Sequence, residues 1–273
     1  MSEPFVQEST EFYGIKEWTG KYNGLTAGFS TRIGGHSQGA YEGLNCGFHV
    51  GDHLELVAEN RKTLSSSIGL PVDHWVGAEQ THGSHIQQIG KDDRGKGSLD
   101  YASSIKDTDG LYTCVEGLLL TLCFADCVPV YFIEPDSRMI GIAHAGWKGT
   151  VKGIAAEMIL QWEKHGINKE KIQVMIGPSI CQDCYIVDDN VIKEIEKWLE
   201  VSDQKPYNEI SFAQYALDLK KMNRIILEKS GIPARNIMST NYCTSCHSKH
   251  FFSHRKDGGS TGRMLSFIGW KGD

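Results

Sequence analysis

The chain has 273 residues, long enough for one large domain or two small ones. Its composition, 40% hydrophobic and 23% charged with a formal net charge of −6, is that of an ordinary globular protein. The acidic balance argues against a nucleic-acid partner, which would normally require a basic face. No apolar run approaches the roughly 20 residues that span a bilayer, and the N-terminus lacks the basic and apolar stretches of a secretory signal. We therefore expect a cytoplasmic protein without a membrane partner.

Four helices are predicted from apolar spacing and capping residues. In chain order they run over 53–67, over 150–165 before a glycine, from Asp188 or Asp189 through an apolar face ending at Leu199, and from Ser211 to about Gly231. Apolar and β-branched runs predict six strands, at 118–124, 130–133, 139–143, 172–176, 250–254 and 264–268. A polar stretch over 91–106 is typical of an exposed loop. Because these elements lack regular βαβ alternation, we expect an α+β single domain over 1–273.

Cys127 and His144 each lie where a predicted strand gives way to a turn, within the segment LTLCFADCVPVYFIEPDSRMIGIAHAGWKG. Side chains at strand ends are common in active sites, because the rigid sheet presents them to a cleft. A third candidate comes from QTHGSH, which contains His82 and His85. Two histidines and one cysteine suit zinc and leave its fourth position open. Spacing alone favours the alternative, in which Cys127 is a core thiol and the histidines are hydrogen-bonded or exposed.

The eight cysteines should be thiols or metal ligands in a chain without a secretory signal. Four of them form two CxxC pairs: Cys181, Cys184, Cys243 and Cys246. Such pairs are typical of structural zinc sites, but the interval between them far exceeds the usual roughly 15–20 residues and contains two predicted helices. This spacing favours incidental thiols.

Four arginines lie close to asparagine or glycine in the sequence: Arg32, Arg61, Arg255 and Arg263. Arginine binds phosphate oxygens bidentately, and glycine lets backbone amides approach an anion closely. We treat these residues as candidate phosphate or base contacts, with solvated surface arginines as the alternative.

Seven segments together resemble the YlmD/YfiH-type family, formerly described as laccase-domain polyphenol oxidases and now understood as purine nucleoside phosphorylases. They are FSTRIGGHSQGAYEGLNCGFHVGD, ENR, QTHG, TLCFADCVPV, AHAGWKG, IGPSI and FFSHRKDGGSTGRM, in order from Phe29 to Met264. The resemblance implies mixed β-sheets flanked by helices, in a layered α/β/β/α arrangement.

The resemblance also implies a zinc site formed by His82, Cys127 and His144, and so selects His82 over His85. The implied reaction is cleavage of adenosine, inosine, guanosine or S-methyl-5'-thioadenosine by phosphate, with adenosine deamination as a further activity associated with the family. Asp126, beside the ligand Cys127, is a candidate proton shuttle or a residue that supports the site. The family commonly has arginine after H-A-G-W, where this chain has Lys148; lysine would bind an oxyanion without bidentate geometry.

Three other functions remain open on residue types. A His-Cys-His site also suits copper, as in a polyphenol oxidase, although the sequence lacks the His-x-His pairs of multicopper oxidases. A cysteine hydrolase would use Cys127 as nucleophile and His144 as base. A nucleoside-binding protein would bind without turnover. The expected partners are a nucleoside and phosphate, in a monomer or small homo-oligomer.

Overall fold

The structure is a computed structural model that describes residues 3–272. Its helices are α1 (Lys16–Thr19), α2 (Leu54–Ile68), α3 (Trp147–Val151), α4 (Ile154–Lys164), α5 (Asp189–Glu196) and α6 (Leu219–Lys229). Its strands are β1 (Phe5–Gln7), β2 (Phe12–Ile15), β3 (Leu25–Ser30), β4 (Trp75–Gly77), β5 (Ile86–Gln88), β6 (Gly110–Thr113), β7 (Leu119–Phe124), β8 (Val128–Glu134), β9 (Met139–Ala145), β10 (Gln173–Ile176), β11 (Ile186–Val187), β12 (Tyr207–Ser211), β13 (Gln214–Leu217), β14 (Ile237–Ser239) and β15 (Met264–Trp270).

Two six-stranded mixed sheets form the centre of the molecule. Sheet A has the strand order β1-β2-β3-β15-β7-β4, and sheet B the order β14-β10-β8-β9-β6-β5. Most neighbours are antiparallel, with parallel pairs at β4–β7, β5–β6 and β10–β14. A small third sheet has the order β11-β13-β12. The predicted α+β fold with mixed sheets is confirmed.

Side-chain alternation along the central strands defines four layers. On β8, Tyr131 and Ile133 belong to the core between the two sheets, whereas Val130 and Phe132 pack with residues of α4, α5 and α6. On β7, Leu120 faces the core between the sheets, and Leu119 packs with residues of α2 on the other side. Because successive side chains of a strand point to opposite faces, each sheet is covered on both sides. The layers are therefore α2, sheet A, sheet B and the helices α3 to α6, the arrangement that the resemblance implied.

The predicted helix over 150–165 is two helices in the structure. α3 begins before it, at Trp147, and α4 follows after a break at Gly153, which has a φ of +77°. Glycine adopts this left-handed conformation without steric cost, so the chain changes direction there. The single-helix prediction was wrong because the apolar spacing of α4 was extended across this turn.

The prediction of a helix beginning at Ser211 was also wrong. Residues 207–217 form the hairpin β12–β13, whose turn exposes Phe212. The helix α6 begins only at Leu219, where the Asp218 carboxylate accepts a hydrogen bond from the Lys221 N–H. An aspartate cap satisfies a free amide at this position and fixes the start of the helix.

The prediction of a strand at 250–254 was wrong as well. The segment is irregular, although Phe251 and Phe252 are fully buried in the core between the sheets. An apolar run indicates burial but cannot distinguish a strand from a buried loop. The other five predicted strands correspond to β7, β8, β9, β10 and β15. In the described part of the chain, no helix combines the length and apolar character needed to cross a bilayer.

Candidate functional site

His82, Cys127 and His144 lie together at one end of the core between the two sheets. His82 is in the connection from β4 of sheet A to β5 of sheet B, and Cys127 ends the short connection from β7 of sheet A to β8 of sheet B. His144 is near the end of β9, on the face that Ile140 and Ile142 turn toward sheet A. The two connections between the sheets therefore bring His82 and Cys127 to the end of β9, where His144 lies.

The three side chains offer a metal-ligating geometry. One ligand atom from each, a ring nitrogen of either histidine and the sulfur of Cys127, lies within 4.8 Å of the others. The two imidazole rings have centroids 4.8 Å apart and planes inclined at 75°. His144 is buried, Cys127 is half-buried and His82 is exposed, so the group opens toward solvent on one side. These donors, two imidazoles and one thiolate, can hold a transition-metal ion with a free position.

Asp109 connects the two histidines and was not identified from the sequence. Its carboxylate accepts a hydrogen bond from Nδ1 of His144 at 2.8 Å, which leaves Nε2 for a ligand. The same carboxylate accepts the backbone N–H groups of Thr81, His82 and Gly83 at 3.1, 3.1 and 2.7 Å. Metal-binding histidines usually donate their second N–H to a carboxylate in this way. The signal that could have pointed to Asp109 is that His144, as a metal ligand, is expected to have a carboxylate partner.

Backbone conformation at the site is unusual in two places. His82 has a φ of 59° and Asp126 a φ of 83°, both in the left-handed region that few non-glycine residues adopt. The three amides bound to Asp109 hold the His82 turn, and Asp126 is held by its own side-chain contacts. Such local strain persists where surrounding contacts compensate for it, commonly at functional sites.

The site shifts the pKa values of Cys127 and His144 in opposite directions. Burial raises the pKa of the Cys127 thiol, but His144 and His82 outweigh burial and bring it down to about 6. Burial lowers the pKa of His144, whereas the Cys127 and Asp109 charges raise it to about 9. Between these values the metal-free site therefore contains a thiolate beside an imidazolium.

Gly146 packs directly against this group. A β-carbon at this position would lie 2.9 Å from the Cys127 sulfur and 3.3 Å from the His82 ring. The glycine therefore lets the segment that begins α3 pass close to both ligands. Only a residue without a side chain fits there undisturbed.

A cavity of about 320 Å³ opens beside the three ligands. Trp147 and Tyr185 contribute aromatic rings to its wall, and Lys148 contributes a cation. Its full lining is Thr81, His82, Asp126, Cys127, Trp147, Lys148, Ile180, Tyr185 and Leu219. A second cavity of about 420 Å³ shares Trp147 and Tyr185 with the first and adds Arg255. Apolar walls with a few polar groups are typical of small-molecule sites.

Asp126 lies in the cavity wall and is largely buried. One carboxylate oxygen accepts the Thr244 hydroxyl at 2.6 Å, and the other accepts the Arg255 backbone N–H at 2.7 Å. The aspartate therefore joins the loop that carries Cys127 to the C-terminal segment. Its position beside the ligands is compatible with both roles considered from the sequence.

The four arginines do not form one cluster. Arg255 stacks on Tyr185, with 5.0 Å from guanidinium to ring centroid, and Arg263 is largely buried, with its guanidinium donating to the carbonyls of Thr261 and Gly262. Burial lowers the pKa of Arg263, and the neighbouring Cys123, Cys127 and Asp126 offset only part of this effect.

Arg61 and Arg32 have different surroundings. The buried Arg61 guanidinium donates to backbone carbonyls of Cys46, Gly97 and Ser98, so its donors are used within the protein. Arg32 stacks on Phe252 and lines an open groove with the glycine turn that follows it. The structure does not place either side chain in the wall of the cavity beside the three ligands.

The fold and the site together define a layered α+β protein with a His-Cys-His candidate metal centre beside an aromatic cavity. Residues 26–271 match a family model described as multi-copper polyphenol oxidoreductase laccase. This match covers most of the chain, and the chain belongs to that family.

Two relatives and one solved structure show how close the similarity is. The purine nucleoside phosphorylase YlmD of Geobacillus stearothermophilus is 47% identical over 249 residues, 91% of either chain. The protein of the same name from Bacillus subtilis is 44% identical over 272 residues, 98% of either chain. The crystal structure of YlmD from Geobacillus stearothermophilus superposes with a TM-score of 0.96 at 44% identity, covering 99% of this chain and 100% of that one.

Proposed function

We propose that this chain is a zinc-dependent purine nucleoside phosphorylase. It would cleave adenosine, inosine, guanosine or S-methyl-5'-thioadenosine with phosphate, giving the free base and a pentose 1-phosphate. The observation that carries this proposal is the convergence of the His82, Cys127 and His144 ligand atoms within 4.8 Å, beside an aromatic cavity. Relatives named purine nucleoside phosphorylase, at 44–47% identity, support the reaction class.

The donor set fits zinc. Two imidazoles and a thiolate are common zinc ligands, and the hydrogen bond from His144 to Asp109 orients the ring as metal-binding histidines require. A bound zinc ion would supply a Lewis acid that orients and polarises an oxygen of the substrate or phosphate. Copper accepts the same donors and remains the alternative metal.

The cavity wall suits a purine nucleoside and an anion. The rings of Trp147 and Tyr185 offer flat apolar faces on which a purine base can stack. Lys148 lines the first cavity and Arg255 the second, so a phosphate could meet a cation at either end of the aromatic wall. We assign phosphate contacts to Arg255, with Lys148 as a point charge, and keep Arg32, Arg61 and Arg263 as secondary candidates.

Asp126 and Cys127 would act as a unit. Asp126 holds Thr244 and the Arg255 backbone, and so fixes the cavity wall next to the Cys127 sulfur. The carboxylate lines the cavity and could also move a proton to or from a bound substrate.

One observation favours a second function, that of a hydrolase with Cys127 as its nucleophile. Cys127, His144 and Asp109 are arranged in the order of a nucleophile, a base and a carboxylate that orients the base. His82 argues for metal binding instead, because a second imidazole on the same sulfur has no role in that triad. Chelation separates the two: it abolishes phosphorolysis but leaves a cysteine hydrolase active and sensitive to thiol alkylation.

The decisive experiment follows hypoxanthine release from inosine and phosphate. His82→Ala, Cys127→Ser and His144→Ala should each lower the rate by more than about 100-fold, because each removes a metal ligand. His85→Ala is the matched control, since its ring bonds the Asp107 carbonyl and lies outside the cavity. It should retain the parental rate.

The outcome with wild-type protein decides the proposal. Release that depends on phosphate, accompanied by zinc in the purified protein, supports it. No release from contaminant-free, metal-loaded protein would refute phosphorolysis, and bound copper with phenol oxidation would establish the alternative. Adenosine incubated without phosphate tests deamination separately, through inosine formation.

A further inference from the structure

A second group of possible metal ligands lies outside the nucleoside site. Its members, called here the cysteine cluster, are Cys181, Cys184, Cys243 and Cys246. A parallel bridge between Ser179 and Cys243 brings the two distant CxxC segments side by side, and the Thr244 N–H donates to the Ser179 carbonyl at 3.1 Å. The interval that argued against a zinc site in the sequence is therefore closed by the fold.

The sulfur positions resemble the corners of a metal–thiolate tetrahedron. All four sulfur atoms lie within 4.8 Å of one another. The Cys246 sulfur is 3.5 Å from that of Cys184 and 3.9 Å from that of Cys181. With zinc–sulfur bonds of about 2.3 Å, the edges of a regular tetrahedron measure about 3.8 Å. A disulfide would require about 2.05 Å, and the four residues are free thiols.

Backbone amides are directed at one of these sulfurs. The N–H groups of Cys181 and Cys246 donate to the buried Cys243 sulfur at 3.2 and 3.4 Å. The Cys184 N–H donates to the Cys181 carbonyl and closes a tight turn between the first pair. Donors around a sulfur stabilise its thiolate form, which is the form that binds metal. The turn keeps the two sulfurs of one CxxC pair on the same side.

A half-buried cation, Lys220, lies beside the cluster. Lys220 and Cys181 line the same cavity, and the Lys220 ammonium donates to the carbonyls of Thr240 and Tyr242 at 3.0 and 2.7 Å. Four thiolates on a divalent ion carry a net charge of about −2, by the protonation states that ligation requires. An ammonium beside the cluster would offset part of that charge.

We propose that the cysteine cluster binds a zinc ion that holds the two CxxC loops together. On binding, each thiol releases its proton to solvent and forms a bond to zinc, without change of oxidation state. Both loops reach the nucleoside cavity, through Tyr185 on one side and the Thr244 hydroxyl bonded to Asp126 on the other. The ion would therefore fix one wall of that cavity without touching a substrate.

Metal content tests the proposal directly and without an activity assay. Wild-type protein purified under reducing conditions should contain about two zinc ions per chain, one at each candidate site. Cys184→Ser and Cys246→Ser should each lower this to about one, since both residues are nearly isosteric with serine and neither is fully buried. Cys114→Ser removes an exposed thiol that belongs to neither group of candidate ligands and should keep the wild-type content.

Cobalt substitution distinguishes the two sites. A variant carrying His82→Ala, Cys127→Ser and His144→Ala should bind about one cobalt ion and show the intense thiolate-to-cobalt absorption of tetrahedral sulfur coordination. That absorption should disappear when Cys184→Ser is added. A loss of phosphorolysis in the first variant concerns the nucleoside site alone, so the two proposals can fail separately.

Two results would overturn the inference. One is unchanged metal content in both Cys184→Ser and Cys246→Ser. The other is a disulfide within the cluster, detected by mass spectrometry of the natively alkylated wild-type protein after expression in a reducing cytoplasm. Folding of each variant is checked by circular dichroism. A variant that does not fold is replaced by titrating the protein that carries His82→Ala, Cys127→Ser and His144→Ala with a mercurial reagent, which should release about one zinc ion as the cluster thiols react.

Discussion

At the scale of single residues, Asp109 determines the geometry of the candidate metal centre. One carboxylate orients the His144 ring and also holds the backbone turn of His82 through three amide hydrogen bonds. Neither histidine is close to Asp109 in the sequence. The carboxylate therefore couples two ligands that come from different connections between the sheets.

Asp109→Asn should weaken zinc binding by about 10–100-fold, because the amide cannot stabilise the donated His144 N–H as a carboxylate does. The measurement is competition with a chromophoric chelator. Asp107→Asn is the matched control, since its side chain accepts only the Thr81 hydroxyl. Equal affinities in the two variants would contradict the role assigned to Asp109.

The charges of Cys127 and His144 predict how metal binding depends on pH. Between about pH 6 and 9 the thiol is ionised and the imidazole is protonated, so binding must displace one proton, from His144. Affinity should rise about 10-fold for each pH unit in this range, and more steeply below it, where the Cys127 proton must also leave.

The same competition assay, repeated across that range, measures the two slopes. A Cys127→Ser variant should show a weaker affinity and lose the steeper limb below about pH 6. A flat profile from pH 6 to 9 in the wild-type protein would show that His144 is already neutral before the metal binds.

At the scale of elements, the central strands followed from the sequence and the helix boundaries did so only in part. Runs such as 118–124 are largely apolar because both faces of each sheet are covered, and nearly continuous apolar runs of this length are typical of buried strands. The predicted cap at Asp188 is confirmed, since its side chain accepts the N–H groups of Asn190 and Val191.

The two errors in the predicted helices have one physical cause. Apolar residues can by chance keep a spacing of three or four residues outside a helix, as Tyr215 does before α6 begins at Leu219. The helix boundaries are set locally. Gly153, in the left-handed region, separates α3 from α4, and Asp218 caps the start of α6 after a hairpin. These signals are single residues, so they are easily outweighed by a longer apolar pattern.

At the scale of the whole molecule, the packing of two sheets creates the site. His82 and Cys127 are both in chain segments that pass from sheet A to sheet B, and Phe124 packs edge-on against the His144 ring at 5.2 Å. The candidate metal ligands thus lie at one end of the core between the sheets. The distance between the sheets fixes how closely those ligands approach.

Tyr131→Phe tests how firmly the two sheets are joined. The buried Tyr131 hydroxyl, on β8, donates to the Gly28 carbonyl on β3 at 2.8 Å and so crosses between the sheets. Its loss leaves a buried carbonyl without this donor and should lower the free energy of unfolding by about 1–2 kcal/mol, measured by urea denaturation. Tyr215→Phe, which removes an exposed hydrogen bond to Asp189, should cost less than about 0.5 kcal/mol. Equal costs would mean that the hydrogen bond between the sheets adds nothing.

The sequence by itself determined the residue types that could bind a metal, most of the core strands and, through ordered motifs, the choice of His82 over His85. Only the tertiary structure decided which of these residues meet. It placed Asp109 between two ligands and brought together two CxxC pairs that the spacing had indicated as incidental thiols. The physical reason is that strand formation depends on local side-chain periodicity, whereas contacts between distant segments depend on sheet pairing and layer packing, which local patterns do not specify.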